Sequence, residues 1–223
     1  MKKTISVFVL ALSAFLTLYA QIEYGYDRPK SSTDPWKWGI NADVSLDWIN
    51  QQSDIDKKTG WRFGLSAEKH LIYNIYFRPT VSFAKKGFSC YTQNNFSNDV
   101  TAYHIYSELN MELKFGDEYR GRGLLVYFAP YFSYGIAGTS RYVNLNPNDT
   151  TNFNQPVDYD TYGENSVKKE DLGFLFGAGY DINHHLEINF GFSVGYLNMG
   201  SFNNFRWRSV SAGITYFFNN PKK

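Results

Sequence analysis

The sequence predicts an all-β fold, an eight-stranded antiparallel transmembrane up-and-down β-barrel. Eight segments of about nine to thirteen residues alternate apolar with polar or small side chains, as tilted strands that cross a bilayer do. Long and short connections alternate between them, which is typical of the two ends of such a barrel. Aromatic residues make up 19% of the chain, yet the mean hydropathy is only −0.41, which excludes a helical membrane protein.

The first twenty residues predict a signal peptide. Lys2 and Lys3 precede an apolar run over 5–18, and Ala20 is the expected last residue before cleavage. The run is too short to span a bilayer, so we interpret it as a leader that is removed on export. The remaining chain is divided into a polar lead (21–35), one barrel domain (36–218) and a polar tail (219–223).

The charge and the cysteine content argue against a nucleic-acid partner and against a disulfide-bonded fold. Removal of Lys2 and Lys3 leaves 20 basic residues against 21 acidic ones, which argues against a nucleic-acid partner. Cys90 is the single cysteine, so the chain has no disulfide framework. Nothing in the sequence indicates a cofactor, and none is expected.

Each predicted strand has one apolar face and one polar face. The predicted strands are 38–48, 61–68, 75–83, 103–115, 126–136, 171–180, 186–196 and 209–218. The long connections between them are 50–60, 85–101, 138–170 and 197–206. If the N-terminus lies in the periplasm, all four long connections face outward.

The apolar face of each strand is expected to contact lipid. Aromatic residues such as Trp48 and Trp61 stand near the strand ends, where a membrane barrel has its interfacial girdles. The opposite orientation would expose Glu108, Glu112 and Lys114 of one strand to lipid, and a Lys at the midplane costs about 2–4 kcal/mol. A soluble, lipocalin-like barrel is therefore disfavoured.

The interior is expected to hold a network of paired charges, because an unpaired buried charge is costly. Its predicted members are Asp43, Arg62, Arg78, Glu108, Glu112, Lys114 and Glu187. Arg78 and Glu108, on neighbouring strands, are predicted to form an ion pair with Asp43 close by. Long side chains of the third to fifth strands, mainly tyrosines and Arg78, are expected to fill the space beside glycines of the last three strands. The interior is then packed and contains no continuous pore.

Four stretches resemble the outer-membrane β-barrel family common in Bacteroidota, labelled the porin or PorT-like family. They are 78–87, 107–110, 171–180 and 195–199, of which Asp171-Leu-Gly-Phe-Leu-Phe-Gly-Ala-Gly-Tyr180 is the closest match. Thr80 stands where the family has Glu, and Asn110 where it has Pro. The resemblance implies a barrel in the outer membrane and no shared catalytic site.

The last strand carries a pattern that resembles the signal read by the outer-membrane assembly machinery. Ser211, Gly213, Tyr216 and Phe218 fit the order polar-x-Gly-x-x-aromatic-x-aromatic. An unpaired edge with outward aromatic residues is able to pair transiently with another sheet edge before the barrel closes. Assembly machinery and outer-membrane lipid are thus expected partners.

Catalysis and metal binding are both disfavoured. A His104–Glu108 dyad is conceivable, but no serine is clearly placed to complete it, so an enzyme is not expected. Asp158, Asp160 and Gly163 only partly match a calcium loop, and a solvated loop is the simpler interpretation.

Two functional classes remain open after these exclusions. One is a structural or interaction barrel that acts through its outer loops. The other, implied by the resemblance, is an accessory barrel of a protein-secretion system. Transport through a narrow pore is disfavoured by the strand number.

Overall fold

The computed structural model describes residues 35–50, 55–92, 96–117, 122–145, 154–163, 167–199 and 205–218. The predicted signal peptide, the polar tail and all of the polar lead except Pro35 lie outside these ranges. The strands are β1 (Lys37–Ile49), β2 (Ile55–Ile72), β3 (Ile75–Thr92), β4 (Phe96–Asp117), β5 (Arg122–Asn144), β6 (Pro156–Asp160), β7 (Glu170–Asp181), β8 (Leu186–Gly195) and β9 (Trp207–Phe217). Among the described residues, no helix has the length and apolarity needed to cross a membrane.

Eight of these strands close into a ring. Each pairs antiparallel with its neighbours in the order β1–β2–β3–β4–β5–β7–β8–β9, and β9 returns to pair with β1. Closure leaves the ring without an open sheet edge, which a bilayer requires. The predicted eight-stranded antiparallel barrel is confirmed. The short strand β6 stands outside the ring, paired with the distal part of β5.

The apolar face of each strand points outward, as predicted. On β1, Val44 and Leu46 are 61% and 49% exposed, whereas Asp43 and Asp47, which flank them, are 6% and 0% exposed. The same alternation runs through β2, where Phe63 is 55% exposed. Because successive side chains of a strand point to opposite faces, a shift of its register by one residue would turn every interior charge toward lipid.

Strands β2 to β5 extend well beyond the membrane. β4 has 22 residues and β5 has 23, whereas about 9–11 suffice to cross a bilayer. The prediction of loops was wrong over 55–60, 85–92, 96–101 and 138–144, because β2 starts at Ile55, β3 continues to Thr92, β4 starts at Phe96 and β5 ends at Asn144. Outside lipid the side chains no longer need to alternate in polarity, while the backbone ladder continues. We call residues 55–58, 86–92, 96–102, 138–144 and 156–160 the projecting sheet.

A hydrophobic cluster lies where the projecting sheet meets the barrel. This outer core consists of Ile49, Phe88, Val100, Met199, Phe205 and Trp207. The Phe88 ring makes edge contacts with Phe205 and Trp207, with centroids 5.5 and 5.3 Å apart. Cys90, predicted to lie in a loop, lies in β3 and packs against this core. The outer core holds the projecting sheet to the mouth of the barrel.

Candidate functional site

The barrel interior is crossed by three groups of ion pairs, which we describe from the turn end outward. In the first group, Lys114 lies among four carboxylates. Its Nζ is 2.6 Å from Glu68, 3.1 Å from Asp181, 3.6 Å from Glu112 and 3.7 Å from Glu187. These acids come from β2, β7, β4 and β8, so one ammonium joins opposite walls of the barrel.

Arg78 belongs to the same group. Its Nε lies 2.6 Å from Glu112, and its guanidinium donates a hydrogen bond of 2.6 Å to Glu187. The predicted Arg78–Glu108 pair is therefore wrong. The residue opposite Arg78 on β4 is Asn110, and the long arginine side chain reaches toward the turn end rather than toward the outer end.

The middle group is built on Arg62. Its Nε donates to Asp43 at 2.9 Å, and its second arm contacts Glu108. The guanidinium also lies over the Tyr106 ring, 5.1 Å from its centroid. Asn110 donates to the other oxygen of Glu108 at 3.1 Å. The seven predicted network residues thus fall into two separate groups, one of which contains Asp43, Arg62 and Glu108.

Lys86, absent from the predicted network, forms the outermost group. Its Nζ lies 4.6, 5.2 and 6.0 Å from the ring centroids of Tyr106, Tyr131 and Trp207. Its carboxylate neighbour is Asp171, at 3.7 Å, which also accepts a hydrogen bond of 3.0 Å from Tyr131. Lys86 was missed because it lies in the stretch predicted as a loop. The signal that identifies it is the period of two, since position 86 continues the series of inward-facing positions 82 and 84.

Tyrosines of β5 fill the space beside glycines of β7, as predicted from the sequence. A Cβ added to Gly177 would overlap the Tyr127 ring, and one added to Gly173 would approach the Tyr131 ring to 2.6 Å. Tyr127 then donates to the carbonyl oxygen of Phe190 on β8, at 3.1 Å. Arg78, predicted to share this role, is engaged elsewhere. Glycine is required at these positions because a ring occupies the volume of a side chain.

The outer mouth is closed around His104. One ring nitrogen lies 3.3 Å from the Ser133 hydroxyl and the other 2.9 Å from the Tyr162 hydroxyl, so neither is available to Glu108. The conceived His104–Glu108 dyad is therefore not formed. The Tyr162 ring lies against Gly135, which leaves room for it. His104 thus ties the segment after β6 to the barrel wall.

Two small polar cavities interrupt the packing, both lined in part by Asp43 and Arg62. One extends toward Arg78, and the other toward Lys86. The Asp43–Arg62–Glu108 group lies between them, so the two cavities are separated by charged side chains that contact each other.

The residues of the suggested assembly signal divide between the two faces of β9. Ser211 is buried, and Gly213 leaves room for the Asp43 carboxylate. Tyr216 and Phe218 face outward, with ring centroids 5.9 Å apart, and the Phe218 amide donates to the Trp38 carbonyl at 2.8 Å. Recognition by the assembly machinery stays a prediction.

Strand β6 occupies part of the stretch predicted as a solvated loop. Arg141 of β5 donates two hydrogen bonds to Asp158, at 2.8 and 3.1 Å. This hydrogen bonding lowers the pKa of Asp158 from its ordinary value. Asp160 accepts from the Tyr162 amide at 2.9 Å. Both carboxylates of the partial calcium pattern therefore have partners within the protein.

Comparison with known proteins agrees with this architecture. The outer membrane protein beta-barrel domain family matches residues 8–218. The chain belongs to this family. Membership locates the protein in the outer membrane, in agreement with the outward apolar band.

Solved structures with a similar chain path are distant in sequence. Neisserial surface protein A is 16% identical with a TM-score of 0.48, covering 81% of this chain and 97% of its own. Ail, the attachment invasion locus protein of Yersinia pestis, is 11% identical with a TM-score of 0.47, covering 82% and 98%. The N-terminal barrel of Pseudomonas aeruginosa OprF is 11% identical with a TM-score of 0.35, covering 80% and 97%. No curated protein matches the sequence.

Proposed function

We propose that this protein is a non-conducting outer-membrane scaffold that binds a partner through its projecting sheet and outer loops. The observation that carries the proposal is the contrast between the two parts of the chain. Inside the membrane, the lumen is occupied by ion pairs and rings, whereas outside it the same strands continue as an ordered sheet with its own core. The part that other molecules are able to reach is therefore the outer one.

The contents of the lumen argue against transport. Arg62 joins β2 to β1 and β4, and Arg78 joins β3 to β4 and β8, so charged groups bridge the walls at two heights. An eight-stranded barrel is only just wide enough for its side chains to fill. Opening a path for solutes would require these buried pairs to separate, which costs several kcal/mol for each pair.

The projecting sheet supports the interaction role. All five residues of β6 are exposed, and the apolar side chains Val157 and Tyr159 are 44% and 58% exposed. Tyr91 on β3 is 46% exposed. Exposed apolar side chains rimmed by polar residues, here Asp158 and Asp160, are typical of protein interaction surfaces.

Conductance tests the scaffold half of the proposal. Purified protein in planar bilayers is expected to give no stable current steps, and a sixteen-stranded general porin serves as the positive control. Reproducible steps from the purified protein would contradict the filled lumen.

Site-specific photo-cross-linking in intact cells tests the interaction half. A photoreactive residue at Tyr159 is expected to capture a defined protein, while the same residue at lipid-facing Tyr180 serves as the matched control. Equal adducts from both positions, or none from Tyr159, would contradict the proposal. A secretion-system component captured at Tyr159 would favour the accessory role that the family resemblance implies.

A further inference from the structure

The outer rim of the barrel, where the projecting sheet begins, carries outward-facing cations next to aromatic rings. Trp48 on β1 lies directly opposite Arg208 on β9, which in turn lies opposite Val194 on β8. The Lys57 Nζ is 5.1 Å from the centroid of the Trp48 ring. These side chains form a continuous patch across three neighbouring strands and the adjoining part of β2.

A third cation extends the patch along the end of β8. The Arg206 guanidinium lies 5.8 Å from the centroid of the Tyr196 ring, which is 61% exposed. The Arg206 carbonyl accepts a hydrogen bond of 2.9 Å from the Asn50 amide, which fixes the backbone here. We call Trp48, Lys57, Tyr196, Arg206 and Arg208 the rim patch.

The cations of the rim patch have no ion-pair partner among the described residues, whereas the interior cations all do. Arg208 is partly buried, and its Nε is a buried atom with no hydrogen-bond acceptor within the same part of the chain. Within the described part of the chain, positive charge therefore accumulates on this side of the barrel without an acid that pairs with it.

The position of the patch relative to lipid indicates what binds there. One step toward the midplane, Leu46, Val210 and Phe192 form an exposed apolar row in register with each other. The cations thus stand at the height where acyl chains end and headgroups begin. Short turns and both barrel termini lie at the opposite end, so the outer rim faces the outer leaflet.

We propose that the rim patch binds a phosphate group of the lipid A headgroup in the outer leaflet. Arg206 and Arg208 present planar guanidinium donors, which suit the two oxygens of a phosphate, and Lys57 adds a third positive charge. The rings of Trp48 and Tyr196 hold the cations against the barrel wall and contact the sugar and the first carbons of the acyl chains. Binding of this kind anchors the barrel at a fixed depth.

The test measures binding of diphosphoryl lipid A to the refolded protein in detergent by native mass spectrometry. Each of K57Q, R206Q and R208Q is expected to weaken binding about fivefold, and the triple variant about a hundredfold. K69Q removes a cation from the opposite rim and serves as the matched control, with binding unchanged. Heat-dependent gel mobility verifies that each variant is folded.

Two further ligands make the test specific. Dephosphorylated lipid A is expected to bind the wild type as weakly as the triple variant binds the phosphorylated form. Phosphatidylglycerol is expected to bind more weakly than lipid A. Equal affinity for both lipids, or unchanged lipid A binding by the triple variant, would overturn the proposal.

Discussion

Replacement of Lys114 by Met is expected to destabilise the barrel strongly. The Lys114 ammonium contacts Glu68 at 2.6 Å and Asp181 at 3.1 Å, and lies within 3.7 Å of Glu112 and Glu187. Glu68 is 1% exposed and Lys114 13%, so the screening by water is limited. Removing one partner of a buried pair costs about 3–5 kcal/mol, since the remaining charge is left uncompensated. Methionine keeps the apolar stem, so the loss is almost entirely electrostatic.

The K114M/E68Q double variant identifies the cause. In K114M, Glu68 keeps only Lys37, at 3.3 Å, and the group has a surplus of carboxylates. Neutralising Glu68 reduces that surplus, so the double variant is expected to be more stable than K114M alone. Urea unfolding in lipid vesicles, followed by tryptophan fluorescence, measures both. R141Q, at the exposed Arg141–Asp158 pair, is the control and is expected to leave stability unchanged. A K114M variant as stable as wild type, or additive losses in the double variant, would refute a buried network at this position.

Three further predictions follow from the same structure. The protein is expected to need detergent for extraction and to migrate differently in gels after heating, because of its exposed apolar band, and recovery as a soluble periplasmic monomer would contradict it. G135A is expected to displace the Tyr162 ring and increase proteolysis between β6 and β7, an effect that should vanish in a Y162A background. W207A should lower the free energy of unfolding by about 3–5 kcal/mol, because Trp207 is 1% exposed and packs on Phe88; lipid-facing W61A, measured in parallel in the same urea titration, should cost much less, and equal losses would argue against the outer core.

Strand direction and face were predictable because the bilayer imposes a strict pattern. A residue such as Val44 is able to contact lipid and Asp43 is not, so the alternation in the sequence directly reports which face points outward. The same reasoning located Arg62, Arg78 and Lys114 inside the barrel.

The length of the strands was harder to predict from the sequence. Beyond the membrane, neither face of a strand needs to be apolar, and Ser, Thr, Asn and Asp occur in strands and loops alike. The extension of β3 past Phe83, with Lys86 turned inward, therefore went unpredicted. Its backbone hydrogen bonds with β4 form irrespective of side-chain polarity, so the hydropathy pattern carries no trace of them.

The sequence by itself determined the barrel, the number of strands in its ring and seven of the charges that the lumen encloses, because each follows from the period of two and from the cost of charge in lipid. Only the tertiary structure decided which charges pair. Arg78 of β3 reaches Glu112 and Glu187 instead of Glu108. Its choice of partner depends on the direction of a long side chain and on the position of β8, which is distant from β3 along the chain. Contacts across a closed ring depend on its register and stagger, which the pattern of a single strand does not contain.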